Sequence, residues 1–362
     1  GERTTLLTLL RGLAERIPVR VLLWAGSPLP LFHPDRRDVR GVRHALTFGT
    51  NIAVALDSKE RPMHCHHEKI AVIDGRIAYV GGIDLTTLAG DRFDVQHHPA
   101  RDAIGWHDAT ARVAGPLVAD VHDHVAMRWR EVTGEQLEPA EPERIRHGTT
   151  AQFVRTVPNN VYGSVPDGDY RILEAYVRAL RSAERLIYLE SQFLWAPELV
   201  SIVAEKLRDP PTDEFRVVVL LPARPRNGAD DTRGQLGVLL DADRDARFLA
   251  CTLWQPGRRN QVYVHAKIGI VDDRWLAIGS ANLNGHSLYN DTEACIVTCD
   301  EELAHKTRLR LWREHVGVDD VTFDHWRERA EDETYDRLAL LPQISRRARR
   351  FLGPVNGLLV DG

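Results

Sequence analysis

The chain has 362 residues, 43% hydrophobic and 27% charged, with a formal net charge of −5. Such a balance belongs to a globular protein with room for two medium domains, and its mild acidity gives no overall field that would draw the chain to nucleic acid or an anionic membrane. No apolar run reaches the roughly 18 residues of a bilayer span and the N-terminus lacks a secretory pattern, so a cytoplasmic or peripheral-membrane location is expected. The chain starts at Gly1 without a Met, which suggests a clipped or processed product. Cys65, Cys251, Cys295 and Cys299 do not form a disulfide framework in a chain of this length.

In chain order, residues 6–14 read as a helix and 19–24 as a buried strand. The Pro- and Arg-rich stretch 27–43 reads as irregular. Strands follow at 51–57 and through 67–84, then a charged, His-containing loop at 91–103. Residues 106–113 alternate as one strand that ends at Gly115-Pro116, and an amphipathic helix covers 118–130. Residues 136–150, rich in Glu and Pro, form the linker between a first half at 1–135 and a second at 151–362. The second half runs through strands at 151–156, 186–192, 215–221, 262–270 and 292–298, with helices at 170–182, 197–208 and 301–315. It ends in a charged helical tail with a basic run, 346–350, read as a solvated helix face. Alternating strands and helices predict an α/β protein: two similar α-β-α sandwich halves with mixed sheets, related by a pseudo-twofold axis, with the active site at their interface.

The strongest signal is a repeat. His67, Lys69, Asp74, Gly81, Gly82 and Asp84 recur with identical offsets as His265, Lys267, Asp272, Gly279, Ser280 and Asn282. One His-x-Lys-x4-Asp match is weak, but two copies sharing a downstream small, polar loop are not. Only five of the 47 basic residues are Lys, and two of them occupy the equivalent motif positions. Period-two alternation puts His265 and Lys267 on one face, opposite the apolar Val264, Ala266 and Ile268.

Two imidazoles and two ammonium groups around one pocket suit a phosphodiester. The lysines and loops neutralise charge on the non-bridging oxygens, one His attacks phosphorus, and the other protonates the leaving oxygen and then activates water or an alcohol. Each His needs an acceptor on its far ring nitrogen. Proximity in sequence pairs Asp108 with His67 and Glu293 with His265. No metal or cofactor is needed: His64-Cys65-His66-His67 carries zinc-ligand types, but adjacent strand residues point to opposite faces. His97, His98, His122 and His124 read as loop or helix-surface residues, and Phe193, Leu194 and Trp195 as lipid-facing or core.

These motifs resemble the phospholipase D superfamily, and phospholipase D proper most closely. The resemblance rests on His66-His67-Glu68-Lys69, Gly81-Gly82-Ile83-Asp84-Leu85, Trp106-His107-Asp108 with Gly115-Pro116, Arg155-Thr156, and the 187–193 run Ile-Tyr-Leu-Glu-Ser-Gln-Phe. It covers essentially the whole chain and implies a covalent phosphohistidine on His67, with His265 as acid/base. Lys69, Lys267, Gly82, Asp84, Ser280 and Asn282 would bind phosphate, with Asp74 and Asp272 supporting the motif loops, while Glu190 and Gln192 either line the pocket or simply end a strand. The implied partners are a phospholipid at a membrane surface and a water or alcohol acceptor. Nucleic acid is not expected, and both motifs in one chain imply a monomer. Cardiolipin synthases resemble the same motif set but carry Asn where this chain has Asp84, and usually have preceding membrane spans; nucleases of the superfamily are generally basic or lack one motif Asp. Two departures bear on headgroup preference: His286 stands where the family usually has Arg, and Ser191 where it usually has Asn. The family's opening strand and helix look incomplete before Thr5.

Overall fold

A computed structural model describes residues 6–30, 33–84, 105–225, 229–255, 257 and 260–341. Helix α1 (Leu6–Ala14) leads into β1 (Arg20–Trp24), α2 (Arg36–Thr47) and β2 (Ala53–Asp57). The hairpin β3 (Lys69–Ile73) and β4 (Ile77–Gly81) follows the first motif histidine, and then come β5 (Gly105–His107), β6 (Thr110–Ala114) and α3 (Leu117–Thr133). Past the linker come β7 (Ala151–Val157), β8 (Asp169–Tyr170), α4 (Arg171–Ser182), β9 (Leu186–Glu190), α5 (Pro197–Arg208), β10 (Arg216–Leu220), α6 (Ala229–Ala242) and β11 (Phe248–Trp254). The second motif lies on β12 (Gln261–Val264), β13 (Ile268–Val271) and β14 (Trp275–Gly279). The order closes with α7 (Gly285–Tyr289), β15 (Glu293–Thr298), α8 (Glu301–Val316), α9 (Phe323–Glu331) and β16 (Leu338–Leu340).

The second half is a three-layer sandwich. Its 11-stranded mixed sheet runs β5-β12-β11-β10-β9-β13-β14-β15-β7-β8, with β16 on β11. The β9, β10 and β11 strands are parallel, buried and mostly apolar, as strands covered on both faces must be. One face buries Ile172, Tyr176, Leu199, Val203 and Leu236 from α4, α5 and α6; the other buries Leu311, Trp312, Phe323 and Trp326 from α8 and α9.

The halves are unequal. In the first, β1 and β2 form a parallel pair, and β3, β4 and β6 a separate antiparallel sheet. In the second, β9 lies between β10 and the motif hairpin and joins them into one sheet; among the described residues no strand does this in the first half. Mixed α/β layering is as expected; among the described residues the full sandwich is seen in the second half. The small sheet packs through Ala78 and Val80 against Val118 and Val121 of α3 and against Phe153, Ala294 and Ile296 of the large sheet, so an apolar seam joins the halves.

Three expected elements differ. Residues 36–47 are helical, because the Asp35 carboxylate caps Arg37 N and Asp38 N while Asp38 reaches back to Asp35 N. This capping box lies inside the arginine-rich composition that reads as irregular. The stretch 106–113 is two strands: β5 pairs with β12 of the large sheet and β6 with β4 of the small one, with Asp108 at the crossing. Likewise 262–270 is broken at 265–267, where His265 N and Ala266 N both donate to His107 O, at 2.8 and 3.0 Å. Two successive N–H groups on one carbonyl form a bulge-like break, and it turns His265 out of the ladder. The linker lies along the first half, with Glu135 bound to Arg20 and Trp129 and with Ile145 against Gly115. The 91–103 loop, His97, His98 and the basic run 346–350 lie outside the described residues.

Candidate active site

The two motif histidines are each oriented from the opposite half. His67 Nδ1 lies 2.9 Å from Glu293 Oε1, and His265 Nδ1 lies 2.7 Å from Asp108 Oδ2. Since a carboxylate only accepts, each Nδ1 carries the proton and Nε2 carries the lone pair. The same-half pairing expected from proximity is therefore incorrect. The cause is strand crossing. Gly105, Trp106 and His107 pair with Val262, Tyr263 and Val264, which delivers Asp108 to His265. In mirror fashion Thr292 N donates to Cys65 O and His67 N donates to Thr292 O, which delivers Glu293 to His67. Sequence distance points one way and hydrogen-bonded register the other, and register decides.

The carboxylate of Asp84 marks where the motifs converge. It lies 3.3 Å from Lys69 Nζ and 3.7 Å from His265 Nε2. Burial works to raise its pKa, but Lys69, His265, His67 and Lys267 together outweigh that and hold it well below the usual carboxylate range. Each lysine also folds back on its own histidine's carbonyl, Lys69 Nζ onto His67 O at 2.6 Å and Lys267 Nζ onto His265 O. A buried Lys267 beside an anion is the electrostatic setting a phosphate oxygen needs.

His265 is depressed below the ordinary imidazole value, by burial first and then by Lys267; Asp108 and Asp84 only partly offset this. The resting His265 is thus biased toward the neutral form. Asp108 is held low, because His265 and Lys267 outweigh the cost of its burial. Trp106 lies 4.8 Å from the His265 ring and stacks on Tyr263, whose hydroxyl accepts from Gln192 Nε2 at 2.8 Å, so Gln192 supports the aromatic wall beside His265.

Close approach dictates the glycines here. A Cβ on Gly82 would lie 2.3 Å from Asp108 Oδ1, and one on Gly279 would lie 2.5 Å from the carbonyl oxygen of Ala294. Ser280, at the position equivalent to Gly82, is fully buried; its hydroxyl donates to Glu293 Oε2 and accepts from Ala294 N at 3.0 Å. Its geometry is that of a brace for Glu293 behind His67. Asn282 is also fully buried, beside the same loop.

Glu190 and Asp272 are both buried. Glu190 is fully buried on the face of the sheet behind the pocket, with Oε2 at 2.7 Å from His107 Nε2, Oε1 at 3.1 Å from His315 Nε2 and a bond from Tyr188 OH. It anchors the segment that carries Asp108 and whose carbonyl receives the His265 backbone. Asp272 accepts from Glu184 N, Arg185 N and Leu186 N, each at 2.7 Å, and so fixes the start of β9 at the far end of the motif hairpin from His265. Asp74 adopts the same positive φ but its side chain is exposed. Neither Asp reaches the reacting centre.

Behind His67 lies a charged network that the sequence did not reveal. Glu68 binds His124 and Arg128 at 2.8 Å, Arg128 also binds Asp57 at 2.9 Å, and Tyr162 donates to the same Asp57 oxygen. His66 lies between Asp57 and Thr292. His124 is buried and its pKa lowered chiefly by that burial, so reading it as a helix-surface residue is incorrect. The signal was present: positions equivalent to His66 and Glu68 are Val264 and Ala266, which are packed in apolar core. The back of the first motif is thus held by ion pairs where the second is held by hydrocarbon. Phe193 and Leu194 are core, while Trp195 is partly exposed with its edge on His286.

A family model described as "Cardiolipin synthase, PLD-like domain" matches residues 176–313. Phospholipase D A of Dictyostelium discoideum is 25% identical over 415 residues, covering 88% of this chain and 32% of that protein. Cardiolipin synthase A of Pseudomonas fluorescens is 26% identical over 296 residues, covering 80% of this chain and 54% of that protein. The chain thus spans about a third to a half of the length of these relatives. Among solved structures, phosphatidylserine synthase of Haemophilus influenzae superposes with a TM-score of 0.52 at 10% identity, covering 85% of this chain and 84% of that one, which is a likeness of fold. Paired motifs, crossed imidazole–carboxylate pairs, fold and relatives agree in making the chain similar to the phospholipase D superfamily.

Proposed function

We propose that this protein is a phosphodiesterase of the phospholipase D type, hydrolysing glycerophospholipids to phosphatidate and free headgroup and transferring the phosphatidyl group to alcohols. The observation that carries this is the placing of the Asp84 carboxylate among His67, Lys69, His265 and Lys267, because an anion site flanked by two oriented imidazoles is what a phosphodiester requires. His67 Nε2 attacks phosphorus while Glu293 holds the Nδ1 proton. His265 Nε2 donates its proton to the leaving alkoxide as the P–O bond breaks, leaving phosphorus bonded to His67. His265 then takes a proton from water or an alcohol, whose oxygen attacks phosphorus and breaks the P–N bond. A neutral resting His265 is ready for that second step. For the first it takes up a proton as the negatively charged diester enters, since an added anion opposes the depression by Lys267.

Phosphatidyl transfer between lipids is the second reading, favoured by the family-model match over residues 176–313 and by the cardiolipin synthase relatives. Incubation with phosphatidylcholine and ethanol tests the proposal: phosphatidylethanol is expected, and is expected to vanish with His67→Ala and with His265→Ala. Cardiolipin formed from phosphatidylglycerol, without headgroup release from phosphatidylcholine, supports the second reading. Cleavage of single-stranded DNA with no lipid turnover refutes both.

A further inference from the structure

Outside the phosphate pocket, three metal-ligating side chains from both halves converge. His64 Nδ1 lies 3.1 Å from His286 Nδ1 and 3.4 Å from Asp291 Oδ1, and the ligating atoms of all three lie within 4.8 Å of one another. A tetrahedral zinc ion with bonds of about 2.0–2.2 Å has ligand–ligand edges of roughly 3.3–3.6 Å, close to the two spacings from His64. Asp291 is fully buried. Its Oδ1 accepts from Cys65 N at 2.8 Å, while its Oδ2 meets no hydrogen-bond donor among the described residues. A buried carboxylate oxygen without a donor calls for a cation. Two imidazole nitrogens aimed at each other share at most one proton, whereas a metal ion uses both lone pairs. His286 is buried under the edge of Trp195, and His64 keeps 11% of its side chain exposed, so solvent reaches the cluster from one side and can supply a fourth ligand.

We propose that His64, His286 and Asp291 bind one divalent transition-metal ion of the zinc type, which pins the two halves together beside the reacting histidine. The donor set of two imidazoles and one carboxylate suits a borderline ion and not calcium or magnesium, which take oxygen ligands. The position gives the ion its consequence. His64 is three residues before His67 and Asp291 two before Glu293, and the backbone bonds between 65–67 and 291–293 join the two segments. An ion on the outer end of this ladder restrains the register that delivers Glu293 to His67. The site takes no part in the chemical steps and does not rest on the choice of lipid substrate.

The test uses the full chain, freed of any histidine tag and dialysed against EDTA, titrated with zinc chloride by calorimetry and followed by thermal unfolding. One equivalent of zinc and a rise in Tm are expected, with calcium chloride giving neither. His64→Gln, at the partly exposed position, and His286→Gln should each weaken zinc binding by more than about tenfold and abolish the Tm rise; circular dichroism verifies that each variant is folded. His67→Asn should leave zinc binding intact. Absence of zinc binding in the folded wild-type chain overturns the proposal. So does binding lost in His67→Asn yet kept in His64→Gln, because the ion would then sit in the phosphate pocket.

Discussion

Glu293 orients His67 across 226 positions of sequence, and Asp108 orients His265 across 157, so each half completes the other's motif histidine. Neither half contains a finished site. This arrangement couples folding of the seam to chemistry: a shift in register at β5–β12 or at the 65–67 ladder misdirects an imidazole without touching either motif.

Glu293→Gln and Asp108→Asn keep the side-chain shape but present an amide that can satisfy the wrong imidazole tautomer. Each should lower kcat by on the order of 10²–10⁴-fold with a much smaller change in KM, because the substrate contacts remain. Steady-state kinetics check this; a change confined to KM would mean that these carboxylates bind substrate and do not orient the histidines.

Gly82→Ala puts a methyl group where Asp108 Oδ1 now lies, 2.3 Å from the ideal Cβ position. The carboxylate must move off His265, so activity should fall by at least about a hundredfold, while Tm drops by only a few degrees. Comparable kinetics to wild type would show that Asp108 has freedom to relocate without loss.

Asp84 places a negative charge among the motif histidines and lysines, where the proposed reaction puts the substrate phosphate. Asp84→Asn removes that repulsion, so tungstate or inorganic phosphate should inhibit at concentrations about tenfold lower or less. Inhibition that weakens instead would mean that the carboxylate organises the lysines more than it repels the anion.

The ion network behind His67 is buried, and removing one partner strands the others. Arg128→Met leaves Asp57 and Glu68 without their guanidinium and should destabilise the fold by about 3–5 kcal/mol in denaturant unfolding. Both carboxyls are held well below the usual range in spite of burial, Glu68 mainly by Arg128 and then His124, Asp57 mainly by His66.

Acid should act in two stages. His124 and His265 are depressed in the fold, so below pH 6.5 the unfolded chain binds protons that the native chain does not, and stability falls as pH drops from 6.5 toward the native values. The depressed carboxyls of Asp57, Glu68, Asp84 and Glu190 add a second loss once pH falls below about 4.5, where the unfolded chain begins to protonate them. Urea midpoints measured from pH 8 to pH 4 check both stages; a midpoint flat between pH 7 and 5 would contradict the first.

The repeat made the motif hairpins and the convergence at Asp84 legible, because identical offsets at 67–84 and 265–282 impose equivalent hairpins. Register was not legible. Residues 106–113 alternate like one strand, and alternation carries no information on which sheet each end joins, so sequence proximity pairs Asp108 with the wrong histidine. Nor did the pattern show that Ser280 bonds Glu293 and that Glu190 bonds His107 and His315, since a polar residue beside a motif looks the same whatever it meets. The Glu68 network was readable only by setting His66 and Glu68 against Val264 and Ala266.

The crossing of roles is tested most directly by rapid quenching with a p-nitrophenyl phosphodiester of phosphatidate, whose leaving group needs no general acid, followed by locating acid-labile phosphorus on the protein. With Asp108→Asn the account predicts an adduct that accumulates on His67, because attack still proceeds while His265 is misdirected and fails to activate water. With Glu293→Gln no adduct should build up. Accumulation in Glu293→Gln together with its absence in Asp108→Asn would contradict the account.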